Sequence, residues 1–287
     1  MTNEKPLVSI LMTAYNRQKY ISEAIKSVVD STYSNWELII VDDFSKDFTV
    51  EIAKEYEKKD SRITVFVNEK NMGDYPNRNK AASYAKGIYL MYVDSDDTIL
   101  KDGIEKCIDL MEQYPQSGFG ISYGILKPNQ PKILSSKEAI QNHFFIKPFL
   151  MVGPGGTIQR KEFFEQINQY PVKYGPANDM YHHLKAACFS PVVLLHFDFV
   201  DYRRHDGQEI NNKYSYLYNN YNYLRDVLDE LPLPITSSEK KWVSKKNKRR
   251  FVMNIFLYFT TTFNLKGTLD AFRYTKFTFR DILDGLF

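Results

Sequence analysis

The sequence predicts an α/β protein built on a Rossmann-like, mostly parallel sheet flanked by helices, with a C-terminal helical extension. Short apolar runs rich in Ile, Leu, Val and Tyr alternate with amphipathic helical patterns through the first half of the chain. This alternation is typical of parallel strands joined by crossover helices. Acidic residues close two of the runs, in ELIIVDD and YLMYVDSDD. The carboxyl ends of strands face the ligand-binding crevice in open α/β sheets, so the pattern predicts an acidic site there.

The individual elements follow from hydrophobic spacing. A helix over residues 20–31 is predicted because Ile21, Ala24, Ile25 and Val28 recur at helical intervals. A Pro/Gly turn at residues 153–156 fits either a ligand-facing loop or a plain connection from a strand to a helix. The predicted strands are residues 7–15, 37–43, 63–68, 89–94, 120–126 and 191–197, and the predicted helices of the first half are 20–31, 49–58, 77–86 and 102–113.

A change of composition after about residue 211 predicts two parts, residues 1–210 as the domain that contains the sheet and its crevice and 211–287 as a helical region. The segment after this point is rich in Asn and Tyr, but its apolar residues recur at helical spacing. Pro232 and Pro234 end the first helix of the region. Two more helices are predicted, over residues 238–263 and 268–283.

Charge and cysteine content exclude several classes of protein. Residues 238–287 carry a net charge of +7, whereas residues 1–237 carry −4. A general nucleic-acid binder would instead line its groove with positive charge, so no nucleic-acid partner is expected. Cys107 and Cys188 are too few for a metal cluster or a disulfide framework. The N-terminus lacks a signal-peptide pattern and no apolar run reaches membrane-spanning length, which favours a cytoplasmic location.

The acids at the strand ends predict a metal site. Asp43 follows one apolar run, and Asp94, Asp96 and Asp97 follow another. Several carboxylates in one crevice repel each other unless a cation joins them, and a divalent metal carrying a phosphorylated ligand meets that need.

The motifs together resemble the family 2 glycosyltransferases, which are inverting nucleotide-sugar enzymes of the GT-A fold. The resemblance runs through VSILMTAYN, ELIIVDDFSKD, NMGDYPNRN, YLMYVDSDD, ANDMYHHLKA and YRRH. It covers roughly residues 8–205, and it rests on the order and spacing of the motifs rather than on any one of them.

The resemblance implies a nucleotide site at the ends of the first strands. Thr13, Ala14 and Tyr15 are expected to hold the base, with Ala14 in a position where the family usually has proline. Asp43 is expected to accept the imide N–H of a uracil, and Asp42 to orient the loop or cap the next helix. Arg78 is expected to reach the nucleotide, while a solvated helix arginine is the alternative.

Asp94–Ser95–Asp96 matches the D-x-D motif of the family. Asp94 and Ser95 are expected at the nucleotide sugar, and Asp96 at a Mn²⁺ or Mg²⁺ that bridges the two phosphates. Asp97 is expected either to join the metal or to cap the next turn, and the cap is favoured. His205 matches a family histidine near the metal and is expected to be a further ligand, more readily of Mn²⁺ than of Mg²⁺, with a structural role as the alternative.

Asp179 is the expected general base of the reaction. An inverting transfer needs one carboxylate to take the proton of the acceptor hydroxyl. The family usually has Glu-Asp at this place, whereas here Asn178 precedes Asp179. A helix N-cap is the alternative role of Asp179. His182 and His183 point about 100° apart on a helix, so they cannot both face one ion and stay unassigned.

These expectations favour transfer of a sugar from a nucleotide-sugar donor, most readily a UDP-sugar, to a glycan or lipid-linked acceptor in surface polysaccharide synthesis. The main alternative is a non-catalytic relative that binds a glycan or nucleotide as a scaffold. An oxidoreductase would need a G-x-G-x-x-G turn after the first strand, and TAYNRQ contains no glycine. A nucleotidyltransferase would need a Gly-rich basic loop there, which is also missing.

The basic segment before FVMNIFLYF has two interpretations. Its seven Lys and Arg residues between positions 240 and 250 next to an aromatic run favour peripheral membrane contact. Alternatively, the aromatic residues pack on the body and the basic residues are solvated.

Overall fold

The protein is described here from a computed structural model, which covers residues 5–123, 132–205 and 213–286. The strands of the first half are β1 (Val8–Ala14), β2 (Trp36–Asp42), β3 (Ile63–Val67), β4 (Tyr89–Tyr92) and β5 (Thr98–Ile99). Those of the second half are β6 (Phe119–Ser122), β7 (Ile133–Leu134), β8 (Thr157–Arg160), β9 (Val192–Leu195) and β10 (Val200–Asp201).

Eight of these strands form one sheet in the order β3-β2-β1-β4-β8-β6-β9-β7. The four strands from β3 to β4 are parallel, and β6 is parallel to β9. β8 runs antiparallel to both of its neighbours, and β7 is antiparallel to β9. The predicted α/β class with a mostly parallel sheet is confirmed.

Helices cover both faces of this sheet because successive strand residues point to opposite sides. Ile10 and Met12 of β1 belong to a core shared with the helices after β1 and β5, while Leu11 packs with the helix after β3. The helices are α1 (Ile21–Val29), α2 (Thr49–Glu57), α3 (Asp74–Tyr84), α4 (Gly103–Glu112), α5 (Ser136–Phe145), α6 (Lys161–Gln166) and α7 (Asn178–Phe189).

The register of the parallel strands brings the predicted site residues to one edge. Ala14 pairs with Asp42, and Leu11 pairs with Tyr92. The segment after β4 therefore runs beside the end of β1, so both acidic strand ends open into the same crevice. β5 then pairs antiparallel with β10, which places the residues after β10 close to those before β5.

The helical region consists of α8 (Lys213–Glu230), α9 (Ser237–Thr262), α10 (Leu265–Thr275) and α11 (Phe279–Leu286). The single helix predicted over residues 268–283 is wrong, because Lys276 adopts a left-handed conformation with φ 53° that separates α10 from α11. The predicted domain boundary at 210–211 and the end of the predicted strand 120–126 lie outside the described residues. Side chains of α8 and α9 join the core of the second half of the sheet.

Candidate active site

Hydrogen bonds tie the end of β1 to the two acidic strand ends. The Ser95 hydroxyl donates to the carbonyl of Thr13 at 2.8 Å, and the backbone N–H of Asp43 donates to the carbonyl of Ala14 at 2.7 Å. Tyr15 follows with 45% of its surface exposed, as a ring at the crevice must be to contact a ligand. Thr13, Ala14, Tyr15, Asp43 and Ser95 are therefore neighbours, as the sequence predicts.

Asp43 is buried and holds the loop that precedes α3. Its carboxylate accepts the side-chain amide of Asn68 at 2.8 Å and the backbone N–H groups of Met72 at 2.8 Å and Gly73 at 2.9 Å. Gly73 has a φ of 88°, a conformation that glycine adopts without strain. A carboxylate offers about four acceptor positions, so one remains for a ligand. Asp42 accepts from the backbone and hydroxyl of Ser45, which confirms that it orients its loop.

Arg78 is buried at the centre of the crevice on α3. In its guanidinium, Nη1 lies 2.7 Å from Oδ1 of Asp94 and Nε lies 2.8 Å from Oδ1 of Asp74. Burial opposes the charge on Arg78, but the two acids more than compensate and raise its pKa well above the usual range. Arg78 is therefore a fixed cation paired with the first acid of the D-x-D motif, not a solvated helix residue.

Asp94, Asp96 and Asp97 can offer ligand atoms that all lie within 4.8 Å of one another. Oxygen donors at this spacing suit a hard divalent cation such as Mn²⁺ or Mg²⁺. Asp94 is partly exposed while Asp96 and Asp97 are buried, so the group opens toward the crevice on one side. The donor set fits the predicted metal.

Asp96 is held by two side chains in this structure. Its Oδ2 atom lies 2.9 Å from Nε of Arg17 and 2.9 Å from Nε2 of His205, whose ring stacks on Tyr20. His205 thus lies beside Asp96, so the structure brings together the two residues that the sequence predicts as metal ligands. Arg17 was not predicted. The signal was present, since Arg17 is a cation three residues beyond the end of β1 at the acidic edge of the sheet.

Asp97 does not cap the next turn. Its carboxylate accepts instead from the backbone N–H of Arg203 at 2.9 Å, and so fixes the segment after β10 against the acidic strand end. Burial, followed by repulsion from Asp94, raises the pKa of Asp97 to about 7. A cation bound beside Asp97 would lower this pKa and favour the ionised carboxylate.

Asp179 is a separate buried carboxyl group in the first turn of α7. It is not the N-cap, because the helix begins at Asn178 and its cap residue is Ala177. Burial raises the pKa of Asp179 to about 7, while the N–H of Met180, the charge of Arg78 and the hydroxyl of Tyr75 favour the ionised form. Arg78 therefore acts on both Asp94 and Asp179 and links the two acidic groups. A carboxylate of this pKa is well matched to proton transfer near neutral pH.

The neighbouring histidines of α7 are structural. His182 binds the carbonyl of Gln169 and the side chain of Gln159, and burial lowers its pKa well below the usual value. His183 is fully buried, and burial lowers its pKa to about 4. Asn178, which stands where the family has Glu, binds the N–H of Tyr174 and the carbonyl of Gly175. It shapes the turn before α7.

The turn at residues 153–156 faces the site. It forms a 3-10 turn (Pro154–Gly156) that leads into β8, not into a helix as one interpretation held. A Cβ atom on Gly155 would lie 3.6 Å from the carbonyl of Tyr92 and from the hydroxyl of Tyr202. The turn therefore lies beside the end of β4, next to the D-x-D motif.

Fold and site together define the GT-A class of glycosyltransferases, in which a mixed sheet carries an acidic crevice at the carboxyl ends of its parallel strands. The chain belongs to glycosyl transferase family 2: the model of that family matches residues 9–167, which is more than half of the chain. The match includes β1 to β4 and the D-x-D motif. Asp179 and His205 lie beyond it.

Curated relatives are similar over part of their length. The chain is 47% identical over 111 residues to the putative teichuronic acid biosynthesis glycosyltransferase TuaG of Bacillus subtilis. This match covers 39% of the chain and 44% of TuaG. It is 40% identical over 123 residues to the UDP-Glc:alpha-D-GlcNAc-diphosphoundecaprenol beta-1,3-glucosyltransferase WfgD of Escherichia coli. This second match covers 43% of the chain and 48% of WfgD. The matches thus span about half the length of these relatives.

Solved structures share the fold. S. aureus TarS 1-349 in complex with UDP-GlcNAc superposes with a TM-score of 0.70 at 21% identity, over 92% of this chain and 79% of that one. The mannosyltransferase PcManGT from Pyrobaculum calidifontis, in complex with GDP-Man and Mn²⁺, gives a TM-score of 0.63 at 11% identity. The superposition covers 99% of this chain and 87% of PcManGT. At these identities the likeness establishes the fold alone.

Proposed function

We propose that this protein is a metal-dependent, inverting glycosyltransferase that moves a sugar from a nucleotide-sugar donor to an acceptor hydroxyl in surface polysaccharide synthesis. The observation that carries the proposal is the presence of two distinct acidic groups in one crevice. Asp94, Asp96 and Asp97 form a cation-binding group, and Asp179 is a lone buried carboxyl group with a pKa of about 7. Single displacement requires this division of roles.

Asp179 is the general base in this mechanism. Its carboxylate takes the proton from the acceptor hydroxyl, and the acceptor oxygen forms a bond to the anomeric carbon. The bond from that carbon to the donor phosphate oxygen breaks on the opposite side, and the nucleoside diphosphate leaves with the electron pair. Because one displacement inverts the anomeric centre, no protein nucleophile is required.

Asp96 would hold the divalent metal together with His205, and Asp94 and Asp97 lie close enough to serve as further oxygen ligands. When bound, such an ion neutralises negative charge on the diphosphate leaving group. Arg17 pairs with Asp96 in the structure at 2.9 Å. A bound metal would compete with Arg17 for this carboxylate, and the guanidinium would then be available to neutralise a phosphate group of the donor.

A UDP-sugar is the proposed donor. Asp43 has one acceptor position left beside Tyr15, which suits the imide N–H of uracil. WfgD is named for UDP-Glc and the TarS structure contains UDP-GlcNAc, which supports the same donor class. PcManGT is described with GDP-Man, so a guanine nucleotide is the competing donor in the experiment below.

The proposed acceptor is a lipid-linked sugar at the cytoplasmic face of a membrane. WfgD is named for an acceptor on diphosphoundecaprenol, and TuaG for the synthesis of teichuronic acid. No helix among the described residues is long and apolar enough to cross a bilayer.

A panel of nucleotides tests the proposal. UDP and UDP-sugars are expected to raise the melting temperature in the presence of Mn²⁺, and the cognate UDP-sugar is expected to be hydrolysed slowly without acceptor. GDP and GDP-mannose serve as matched ligands of the same charge. Stabilisation by GDP but not UDP would overturn the donor assignment, and no stabilisation by any nucleotide would favour a non-catalytic relative.

A further inference from the structure

One side of α9 is exposed along most of its length. The exposed side chains recur at intervals of three or four residues, so they project from a single face of the helix. We call this surface the α9 face; it spans 22 residues, from Trp242 to the C-cap residue Phe263, and a helix of that length is about 33 Å long. Its members are Trp242, Lys245, Lys246, Arg249, Arg250, Met253, Phe256, Leu257, Thr260 and Phe263.

The opposite side of α9 packs on the protein. Val243, Asn247, Phe251 and Ile255 are buried there. Lys248 also points away from the α9 face, because it pairs with Asp281 at 2.8 Å and Asp284 at 3.0 Å on α11. The aromatic residues of this segment thus divide into a packed set and an exposed set, so neither interpretation of the sequence describes all of them.

The α9 face is divided along the helix axis. Its first half carries the basic residues at 245, 246, 249 and 250, and its second half is almost wholly apolar. Phe256 is 64% exposed, Leu257 60% and Phe263 80%. The apolar surface continues into α10 through Leu265 and Leu269, which are also more than half exposed. A contiguous exposed apolar surface next to basic residues indicates an interaction site, whereas an ordinary solvated helix face is polar.

A second copy of the chain is a poor partner for this surface. An antiparallel pairing of two α9 faces would bury Lys and Arg against Phe and Leu, and burying unpaired charge is costly. A parallel pairing would set the two basic halves against each other. The sole acidic residue of α9 is Glu239, which is engaged with Thr236 in the N-terminal capping box.

We propose that the α9 face and the start of α10 bind the surface of an anionic lipid bilayer. The basic half meets the phosphate groups of the lipids, and the apolar end from Met253 to Leu269 enters the boundary between headgroups and acyl chains. Trp242 lies at the level of the headgroups, where indole rings are favoured. This goes beyond the proposed reaction, because it assigns a membrane-binding surface outside the crevice.

Flotation of the full-length protein with vesicles tests this surface. Phosphatidylcholine vesicles with phosphatidylglycerol are expected to bind the protein at low salt, and vesicles of phosphatidylcholine alone much less. Replacing Lys246, Arg249 and Arg250 by Gln is expected to weaken binding about a hundredfold. Replacing exposed Lys58, Lys59 and Lys70 by Gln removes the same charge elsewhere and is the matched control.

A second variant tests the apolar half. Phe256→Gln, Leu257→Gln and Phe263→Gln together are expected to abolish the binding that persists at high salt. Because these three side chains are exposed, the variant removes no core packing. Trp242 is 49% exposed and Trp36 is buried, so bilayer contact should shift the fluorescence of Trp242 to shorter wavelength and Trp242→Phe should remove that shift.

Some results would overturn the inference. These are a lack of binding to anionic vesicles, an equal loss in the Lys58/Lys59/Lys70 control, or self-association through the α9 face without vesicle binding. Hydrolysis of the donor in solution is expected to be the same in all these variants, since the α9 face lies outside the crevice. A failure of vesicle binding is therefore distinguishable from a failure of the proposed glycosyl transfer.

Discussion

Tyr75→Phe is expected to move the pH dependence of the reaction to higher pH. Tyr75 is buried beside Asp179, and its hydroxyl favours the ionised form of that carboxyl group. With a pKa of about 7, Asp179 is half ionised at neutral pH, so kcat/KM should rise through pH 7 to a plateau. Loss of the hydroxyl removes support for the charged base and raises its pKa further.

The size of the shift follows from the energy of the interaction. A hydrogen bond in a folded protein contributes roughly 0.5–1.5 kcal/mol, and one pKa unit corresponds to about 1.4 kcal/mol. The midpoint of the acidic limb should therefore move up from about pH 7 by about 0.4–1.1 units. At pH 6 the variant should be roughly two- to tenfold slower than the parent, and at the alkaline plateau the two should be nearly equal.

The assay is kcat/KM against pH, because this parameter reports the ionisation of the free enzyme. Tyr92→Phe is the matched control. It also removes a buried phenol hydroxyl near Arg78, but that hydroxyl donates to the Arg78 carbonyl at 3.1 Å and is not among the groups that act on Asp179. An unmoved limb in Tyr75→Phe, or an equal shift in Tyr92→Phe, would refute the reasoning.

Two further predictions concern the metal-binding acids. In the absence of nucleotide, Arg17→Ala should bind Mn²⁺ about fivefold more tightly than the parent, because a partly exposed ion pair of about 1 kcal/mol no longer competes for Asp96. Titration calorimetry measures this affinity, and an unchanged Kd would exclude the competition. In the metal-free protein, Asp97→Asn should raise the melting temperature at pH 8 by a few degrees, since the raised pKa of Asp97 means that its charge opposes folding. The loss of stability caused by ionising Asp97 begins near the unfolded pKa of about 4 and is complete above pH 7. The increase in melting temperature should therefore vanish at pH 4. An increase at pH 4 equal to that at pH 8 would contradict the assignment.

The parallel half of the fold could be predicted from the sequence because its signal is local. Buried parallel strands are continuous apolar runs. The observed first and last residues of β1 to β4 differ from the predicted ones by at most two positions. The antiparallel strand β8 was missed because it has four residues, Thr157–Arg160, and its polar side chains hide its burial. Its place between β4 and β6 depends on tertiary pairing that no local pattern encodes.

The candidate site shows the same division. Asp43, Asp94 and Asp96 follow strands, so their convergence could be predicted from the topology of a parallel sheet. The approach of His205 to Asp96 depends on the pairing of β10 with β5, two strands of two residues each. Likewise, the link from Arg78 to Asp179 joins α3 to α7 through space, and only the three-dimensional structure reveals that one buried cation serves both acidic groups.

Asp179→Asn tests the division of roles most directly, because Asn keeps the shape of the side chain but cannot accept the proton. Transfer to acceptor is expected to fall roughly 10²–10⁴-fold in single-turnover measurements, while the affinity for UDP with Mn²⁺ stays within about twofold of the parent. Unchanged transfer would remove Asp179 from its role as general base. A parallel loss of nucleotide affinity would instead place Asp179 in the binding of the donor.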